Sequence, residues 1–499
     1  MTDLDAVVVG AGVNGLVAAV VLAEAGMRVT VIEAESRPGG ALRSEELTLP
    51  GFVHDIGATV LSLGLASPAM RALGITPAGV EFLHAAAPLG HAIRPGESVL
   101  LHRSHQETAA GLGRDGRRWS AVLGGLADRW EGLAESVLDL SHLPPRAPLT
   151  LARFGLHGGW PASTPIRHGF HQEPARALFA GLAAHSFLPL TALGSSAFGI
   201  VLGSFAHAVG WPVAAGGSER LVDALVARLR SLGGDVVTGT RITDLGQLPS
   251  ARTVVLDVEA RQFARIAGDR LPARYRRRLE RWRYGPAAYK IDWALDGRIP
   301  WTDEELAAVG TVHIGGTAET VIASESAVAA GRVSDDPYVL LVQASVADPS
   351  RAPIGKQTGW AYIHVPNGWR GDATVLIEDR IERFAPGFRE RILARHVWTP
   401  SALEAWDANL VGGDIGGGAN DVAQLFARPR LSHAPWRTPL RGVYLASTSV
   451  LPGIHLGSAW RRCARDGRVE RRPRRTAPPH LVKHAAVPSS AVPAKGMEA

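Results

Sequence analysis

Apolar runs separated by glycines dominate the first forty residues of this 499-residue chain. Residues 5–10 form an apolar run typical of a buried parallel strand, and residues 12–25 combine small and apolar side chains in the manner of a packed helix. Gly26 is placed to end that helix, and residues 27–33 return to the strand pattern. A strand, a helix and a strand in this order predict a parallel βαβ unit.

Two later stretches carry related patterns. Ser218 is placed to cap a helix that ends at Gly233, and the apolar positions of that helix share one face: Leu221, Val222, Leu225, Val226 and Leu229. Strands are predicted within residues 235–240 and 251–260, and a turn followed by a buried strand within residues 438–450. We expect these strands to join the sheet that the first unit begins.

This order of elements predicts two interleaved domains, because 499 residues exceed one ordinary core. The second domain is predicted to be inserted into the first. The predicted segments are 1–96, 211–261 and 401–470 for the first domain, 97–210 and 262–400 for the second, and 471–499 for a basic, proline-rich, disordered tail.

Residues 177–218 contain no Asp, Glu, Lys or Arg. Pro189, Pro212 and several glycines interrupt the stretch, which argues against a membrane-spanning helix. We interpret it as core helices that line an apolar pocket. The alternative is a monotopic surface that docks on a membrane.

Composition places the chain among soluble globular proteins, since 46% of residues are hydrophobic and 20% are charged. The single cysteine, Cys463, excludes an internal disulfide framework and a cysteine-rich metal site, and it favours a reducing, cytoplasmic setting. The opening residues MTDLDAVVVG lack the basic flank and cleavage site of a secretory signal, so export is not expected.

The positive charge of the chain resides in its tail. The net charge is +6, yet the residues from Arg461 onward carry ten Lys and Arg against three Asp and Glu. The body is therefore about neutral, and no basic surface with interleaved aromatic residues predicts a nucleic-acid partner. A solvated tail is the favoured interpretation, and a weak anchor for anionic lipid or nucleic acid is the alternative.

Gly10, Gly12 and Gly15 form a G-x-G-x-x-G turn between the first strand and the helix. Such glycines permit the tight turn, the approach of a pyrophosphate and close strand–helix packing, and the helix N-terminus faces the phosphates. Glu33 ends the second strand, where a carboxylate accepts hydrogen bonds from ribose hydroxyls and repels a 2′-phosphate. Asn14 and Ala34 border these positions and are further candidates. The spacing leaves NAD and FAD open.

The next residues, EAESRPGGALRSEELTLPGFVHDIGATV, resemble the phytoene-desaturase-like branch of the FAD-dependent amine oxidase and carotenoid desaturase superfamily. Segments such as GGSERLVDALVARLRSLGGDVVTG and YKIDWALDGRIPWT extend the resemblance over roughly residues 4 to 452. It implies an α/β fold in which a Rossmann-type, glutathione-reductase-like FAD-binding domain carries an inserted mixed-sheet α+β substrate domain.

The resemblance assigns further roles in binding FAD. It implies that Gly39 and Gly40 contact the phosphates and ribityl chain, and that Val237 gives backbone contacts to the adenine. It places a last group of residues near the isoalloxazine: Ile56, Gly57 and Ala58.

The chain departs from the family pattern at two places. Many members carry an arginine directly after the glycine pair, where this chain has Ala41, and Arg43 is the candidate substitute. Near the C-terminus Gly453 and His455 keep the outline of the motif that completes the flavin site, but the following helix is rich in arginine and breaks at Pro473.

Flavin accepts a hydride at N5, so the protein must supply position, dryness and a base where one is needed. His54 is one candidate base, and a histidine hydrogen-bonded within the fold is the competing interpretation. Lys290 is a second candidate, although a structural ion pair with Asp292 is favoured. Asp414 and Asn420 either approach the flavin or shape their glycine-rich loop.

Two histidine pairs lack a third ligand, so a metal site is not predicted at either of them: His102 with His105, and His168 with His171. The predicted function is a cytoplasmic, FAD-dependent oxidoreductase that desaturates an apolar or isoprenoid-like substrate, with oxygen or a quinone as electron acceptor. Peripheral membrane contact is compatible with this function. The alternatives are a redox-neutral double-bond isomerase and a non-enzymatic FAD-binding protein.

Overall fold

The computed structural model describes residues 4–74, 79–139 and 144–451. The strands within these ranges are β1 (Leu4–Val9), β2 (Val29–Ile32), β3 (Ser44–Glu45), β4 (His54–Asp55), β5 (Phe82–Leu83), β6 (Ala87–Arg94), β7 (Glu97–Leu101), β8 (Val213–Ala214), β9 (Asp235–Val237), β10 (Ala251–Leu256), β11 (Ala287–Leu295), β12 (Val309–Ile314), β13 (Val339–Val342), β14 (Gln357–Val365), β15 (Ile392–Trp398) and β16 (Val443–Leu445).

Helices connect these strands and cover both of the larger sheets. The α-helices within the described ranges are α1 (Val13–Glu24), α2 (Ser62–Ala66), α3 (Pro68–Leu73), α4 (His105–Gly111), α5 (Gly116–Trp119), α6 (Gly125–Ala127), α7 (Trp130–Val137), α8 (Pro148–Gly158), α9 (Glu173–Ala184), α10 (Ser195–Ala208), α11 (Glu219–Ser231), α12 (Ala260–Ala267), α13 (Ala273–Glu280), α14 (Ala318–Ala329), α15 (Ala344–Ala347), α16 (Thr374–Phe384), α17 (Pro400–Trp406) and α18 (Val422–Phe426).

The first sheet is wholly parallel, with the strand order β16-β10-β1-β2-β9. Its central strand β1 is apolar along its length because helices cover both faces of a parallel sheet, and Ala6, Val7 and Val8 are fully buried. Helix α11 packs its predicted apolar face against α1. The predicted βαβ unit and the three later strands are confirmed.

The second sheet is mixed, with the strand order β15-β11-β14-β13-β12-β6-β7. Most neighbours are antiparallel, while β12 and β6 run parallel. One face packs in a cluster with α9 and α10, and the other packs against α16. The α/β fold with a parallel sheet and a separate mixed sheet is therefore confirmed.

The division between the two units differs from the predicted boundaries at 97 and 262. Strand β6 lies in the second sheet because it pairs with β12, so this unit begins about ten residues before residue 97. Helices α12 and α13 pack in the core of the first sheet, through Phe263 and Leu279 among others. After β6 and β7, the chain therefore re-enters the mixed sheet at β11.

The N-terminus of α11 differs from its predicted capping by Ser218. The Ser218 hydroxyl has no hydrogen-bond partner within the described residues. The backbone N–H of Glu219 donates instead to the Ser44 hydroxyl at 3.3 Å. A side chain distant in sequence therefore takes the capping role, which local patterning does not reveal.

Residues 177–218 form helices in the core, as predicted, because α9 and α10 are largely buried. Across the helices that the structure describes, none is both long and apolar enough to traverse a bilayer.

Candidate functional site

The turn between β1 and α1 depends on its three glycines. Gly10 has φ +96°, a left-handed conformation that favours glycine. A Cβ on Gly15 would overlap the carbonyl oxygen of Gly10, so only glycine allows α1 to approach β1 this closely. A Cβ on Gly12 would lie 2.7 Å from a carboxylate oxygen of Asp257. The turn is therefore a cradle of backbone amides at the start of a helix, the kind of site that binds a diphosphate, with the Asp257 carboxylate bound to its Gly15 amide.

Glu33 lies directly after β2, beside the same turn. One of its carboxylate oxygens accepts a hydrogen bond from the Ala11 N–H at 2.6 Å, and the other accepts from the Glu35 N–H at 2.9 Å. These bonds fix the carboxylate at the edge of the cradle, next to Ala34. Asn14 is buried within the first turn of α1. The predicted ribose acceptor is therefore positioned by backbone groups.

Sequence analysis missed Asp257, which follows β10 and lies at the N-terminus of α1. Its carboxylate accepts a hydrogen bond from the Gly15 N–H at 2.9 Å. Burial raises the pKa of Asp257 to about 7. An acid at the end of a parallel strand next to a glycine turn is a detectable signal, because the carboxyl ends of these strands meet at one edge of the sheet.

The glycine pair Gly39 and Gly40 packs against the turn that contains Gly10, Gly12 and Gly15. The Gly39 N–H donates to the Ala11 carbonyl at 3.0 Å, and a Cβ on Gly40 would lie 3.1 Å from the Cα of Gly12. Both glycines have positive φ, at +137° and +52°. The two glycine segments, 24 or more residues apart in sequence, therefore form one continuous backbone surface.

The segment of Ile56, Gly57 and Ala58 packs on the same surface. The Ile56 N–H donates to the Arg43 carbonyl and the Ala58 N–H to the Ala41 carbonyl, each at 3.0 Å. The Arg43 guanidinium lies 4.6 Å from the ring centroid of Trp406, and its Nε has no hydrogen-bond partner within the described residues. A buried cation with a free donor fits an anionic ligand at this place.

Lys290 and Asp292 form a buried ion pair on β11, facing this segment. The Lys290 Nζ lies 2.5 and 2.6 Å from the two carboxylate oxygens of Asp292, and it donates to the Asp55 carbonyl at 3.1 Å. Burial lowers the pKa of Lys290 and raises that of Asp292 to about 6. The geometry agrees with the structural ion pair, and it also brings Lys290 next to the predicted flavin-facing turn.

His54 is held within the fold by a contact between its Nε2 and the Thr48 hydroxyl at 2.8 Å. Its Nδ1 lies 3.7 Å from a carboxylate oxygen of Asp292. Burial, assisted by the nearby Lys290 charge, lowers the pKa of His54 to about 3. A neutral, hydrogen-bonded imidazole agrees with the structural interpretation and makes it a weak base.

A second residue that local sequence patterns do not reveal is Arg351, which lies between α15 and β14. Its guanidinium is fully buried, 3.1 Å from the Asp55 carboxylate and 2.8 Å from that of Asp348. It also donates to the Ala214 carbonyl at 3.0 Å. No local pattern marks it, because two of its partners, Asp55 and Ala214, come from distant segments.

Two other candidates, Asp414 and Asn420, hold loops in place. Asp414 accepts hydrogen bonds from the N–H groups of Gly285, Gly416 and Gly418, so it shapes its own loop. Asn420 also holds a loop, through its donation to the Ser186 carbonyl at 3.0 Å.

The remaining predicted residues are placed as follows. Val237 lies on the edge strand β9, and its backbone carbonyl accepts from the Glu33 N–H. Gly453 and His455 lie outside the described residues. Neither of the two histidine pairs lies within one helix, since His102 precedes α4 and His171 follows a short π-helical turn. Within residues 4–74, 79–139 and 144–451, no three His, Cys, Asp or Glu side chains form a metal site.

The fold and the glycine cradle define a protein with a Rossmann-type dinucleotide-binding domain, and the comparisons agree. Residues 8–73 match the family described as an NAD(P)-binding Rossmann-like domain. The chain is 26% identical over 93% of each chain to the rat (Rattus norvegicus) pyridine nucleotide-disulfide oxidoreductase domain-containing protein 2. It is 28% identical to phytoene dehydrogenase of Streptomyces griseus, covering 78% of this chain and 77% of that enzyme.

The fold is also that of a solved oxidase. The structure of putrescine oxidase bound to putrescine superposes with a TM-score of 0.57 at 18% identity, covering 93% of this chain and 98% of the oxidase. The predicted resemblance to phytoene-desaturase-like proteins is confirmed, and the similarities support an oxidoreductase enzyme.

Proposed function

We propose that the protein is an FAD-dependent oxidoreductase that desaturates an apolar or isoprenoid-like substrate. The observation that carries the proposal is the junction of the glycine cradle with the mixed sheet. Thr59, the residue after Ala58, accepts a hydrogen bond from the Trp360 Nε1 at 2.9 Å. Lys290, on the neighbouring strand, lies 5.1 Å from the ring centroid of Trp360. This junction connects the cofactor cradle directly to the face of the mixed sheet that packs with α9 and α10.

The residues present fit the diphosphate and ribose of FAD. The cradle offers the backbone around Gly12, a ribose acceptor in Glu33 and a cation in Arg43, while the Gly15 N–H is bound to the Asp257 carboxylate. The segment ending at Ala58 extends this surface away from the phosphates. FAD differs from NAD at its reactive end, where a ribityl chain and isoalloxazine replace the ribose and nicotinamide. The resemblance implies that these two groups lie along the segment that ends at Ala58.

The substrate side is apolar. Ile56, Trp360 and Tyr362 share a buried cluster with the side chains of α9 and α10, where residues 177–218 supply no charged group. When FAD is bound, it supplies an acceptor for a hydride from a substrate C–H bond. The chain excludes water, orients the substrate against the sheet and holds the Lys290 ammonium by its ion pair.

Desaturation removes a hydride and a proton from adjacent carbons of the substrate and forms a C=C bond. The two electrons pass to oxygen or a quinone, which takes up the two protons. One dinucleotide fingerprint is present in the sequence, which favours these acceptors over a pyridine nucleotide.

The decisive experiment is anaerobic. Purified protein is loaded with FAD, and its absorbance near 450 nm is followed as isoprenoid hydrocarbons are added. Bleaching with a product two hydrogens lighter supports the proposal. Product of unchanged mass, formed only with reduced FAD, indicates the isomerase. FAD binding without turnover indicates the non-enzymatic alternative, and failure to bind FAD contradicts all three.

The role of Lys290 is tested with a double variant. We expect Lys290→Met combined with Asp292→Leu to fold and to bleach the flavin at close to the wild-type rate, because both buried charges are removed together. Lys290→Met alone leaves the Asp292 carboxylate unpaired and should be destabilised. A folded double variant that binds FAD but reduces it a hundredfold more slowly would show instead that Lys290 acts in the reaction.

A further inference from the structure

Three rings form a row on one face of β14. Trp360 stacks with Tyr362 at 5.9 Å between centroids, and Tyr362 stacks with His364 at 5.5 Å, with interplanar angles of 16° and 28°. The row begins at Trp360, which contacts Thr59 and Lys290. Trp360 and His364 are four residue steps apart along the strand, which is about 13 Å. The row thus leads from the proposed reaction centre into the core.

His364, at the far end of the row, is paired with a carboxylate. Its Nδ1 lies 2.8 Å from an oxygen of Glu325, a residue of α14, and the two side chains are 1% and 2% exposed. The His364 Nε2 and the second Glu325 oxygen have no hydrogen-bond partner within the described residues. Buried polar atoms without partners are uncommon in folded proteins and call for an explanation, such as a missing ligand.

The pairing defines what the free nitrogen can recognise. The carboxylate of Glu325 can only accept, so the Nδ1 of His364 donates, and in its neutral form the ring presents a lone pair at Nε2. A hydroxyl group supplies the matching donor. A carboxylate or phosphate ligand fits poorly, because it would lie next to the negative charge of Glu325.

Phe187 covers His364 in the structure. The two ring centroids lie 3.9 Å apart, and Phe187 has φ +56°, the one positive φ of a non-glycine residue within the described ranges. Such a conformation is costly for a bulky side chain and persists where the surroundings impose it. The Ser186 carbonyl is tied to Asn420 by a 3.0 Å hydrogen bond, which fixes the preceding residue. Phe187 is the side chain that an entering ligand must displace.

We propose that His364 and Glu325 bind the hydroxyl group of an otherwise apolar substrate, about 13 Å along β14 from Trp360. This inference rests on the proposed function and narrows its substrate class from an apolar hydrocarbon to a long apolar alcohol. The stacked rings of Trp360 and Tyr362 contact the apolar part of the molecule. His364 is a specificity residue, since it is remote from the bond that reacts.

The test compares the binding of three probes to the full-length, FAD-loaded protein by equilibrium dialysis: geranylgeraniol, its methyl ether, and the hydrocarbon of the same carbon skeleton. We expect the alcohol to bind about tenfold more tightly than the ether, because the ether lacks the donor. His364→Leu should abolish this difference, and His433→Leu, at an exposed histidine, should preserve it.

Glu325→Gln provides a second test if His364→Leu fails to fold. Its amide can donate to Nδ1, which moves the ring proton to Nε2 and shrinks the preference for the alcohol over the ether. Equal binding of alcohol and ether, or binding of neither, in the wild-type protein would overturn the inference. Dialysis does not depend on flavin reduction, so the two proposals can fail separately. Tighter binding of the alcohol than of the ether, without turnover, refutes the proposed reaction alone. Desaturation without a preference for the alcohol refutes this inference alone.

Discussion

At the scale of single residues, Gly15 leaves no room for a side chain, since an added Cβ would overlap the Gly10 carbonyl oxygen. We expect Gly15→Ala to lower the free energy of unfolding by about 1–3 kcal/mol and to weaken FAD binding, because its Cβ must push α1 away from Gly10. Urea denaturation and quenching of FAD fluorescence measure the two effects. Gly155→Ala, in α8, has open space around the new methyl group and should be neutral or slightly stabilising. Equal losses in both variants would contradict the close-packing argument.

Asp257 gives a prediction about pH. Its pKa is raised from 3.8 to about 7, so between these values the folded protein holds a proton that the unfolded chain has released. The free energy of unfolding therefore falls as pH rises from about 4 to about 7, by up to about 4 kcal/mol, and this contribution is constant above that range. Asp257→Asn keeps an acceptor for the Gly15 N–H and should remove this dependence.

Urea denaturation of both proteins at several pH values, without added FAD, measures the effect. We expect the free energy of unfolding of Asp257→Asn, relative to that of the wild-type protein, to increase as pH rises from about 4 to about 7. A difference that stays constant from about pH 4 to pH 8 would show that Asp257 is ionised in the folded protein throughout.

Some site residues could be predicted from the sequence and others could not. The turn at Gly12 and the acid Glu33 follow from spacing along adjacent elements, and both lie where expected. Arg351 could not be found in this way, because its partners Asp55 and Asp348 become neighbours only after the chain folds. Spacing encodes local geometry, whereas ion pairs between distant segments depend on the tertiary arrangement.

At the scale of elements, Arg351 joins β4, β8 and the segment before β14. We expect Arg351→Met to lower the free energy of unfolding by about 3–5 kcal/mol, because it leaves the buried carboxylates of Asp55 and Asp348 without their cation. Thermal and urea denaturation measure the loss. Arg270→Met is the matched control, since Arg270 pairs with Asp244 at the surface and should give no measurable change.

Element boundaries were less predictable than element types. β9 ends at Val237, whereas the pattern predicted a strand as far as residue 240. The unexpected membership of β6 in the second sheet has a comparable cause, since its apolar residues fit any buried strand and its parallel partner β12 lies more than 200 residues later. Pairing over such a distance leaves no local trace.

At the scale of the whole molecule, cofactor binding should stabilise the folded chain. FAD at a hundred times its dissociation constant is expected to raise the free energy of unfolding by about 2.7 kcal/mol. NADP should have no effect at the same concentration, because the Glu33 carboxylate repels its 2′-phosphate. Thermal denaturation with each nucleotide checks this. Stabilisation by NADP equal to that by FAD would contradict the role of Glu33.

The architecture of the first unit was accessible from sequence, and that of the second was accessible only through resemblance. A parallel sheet with a glycine turn has a regular order of strand and helix. The mixed sheet combines β6 and β7 with β11 to β15, and the helices α4 to α13 lie between these two groups of strands in sequence. Such interleaving has no periodic signature, because each strand is specified by partners from another part of the chain.

The position of β16 at one edge of the first sheet has a consequence for synthesis on the ribosome. β10 lacks its outer neighbour until Val443–Leu445 has been translated. The end of β16 follows the end of β10 by 189 residues, so at roughly 5–20 residues per second the nascent chain spends about 9 to 38 s with that apolar border uncovered. Chaperone capture during translation, and release once the last strand emerges, is therefore the expected course of its biogenesis.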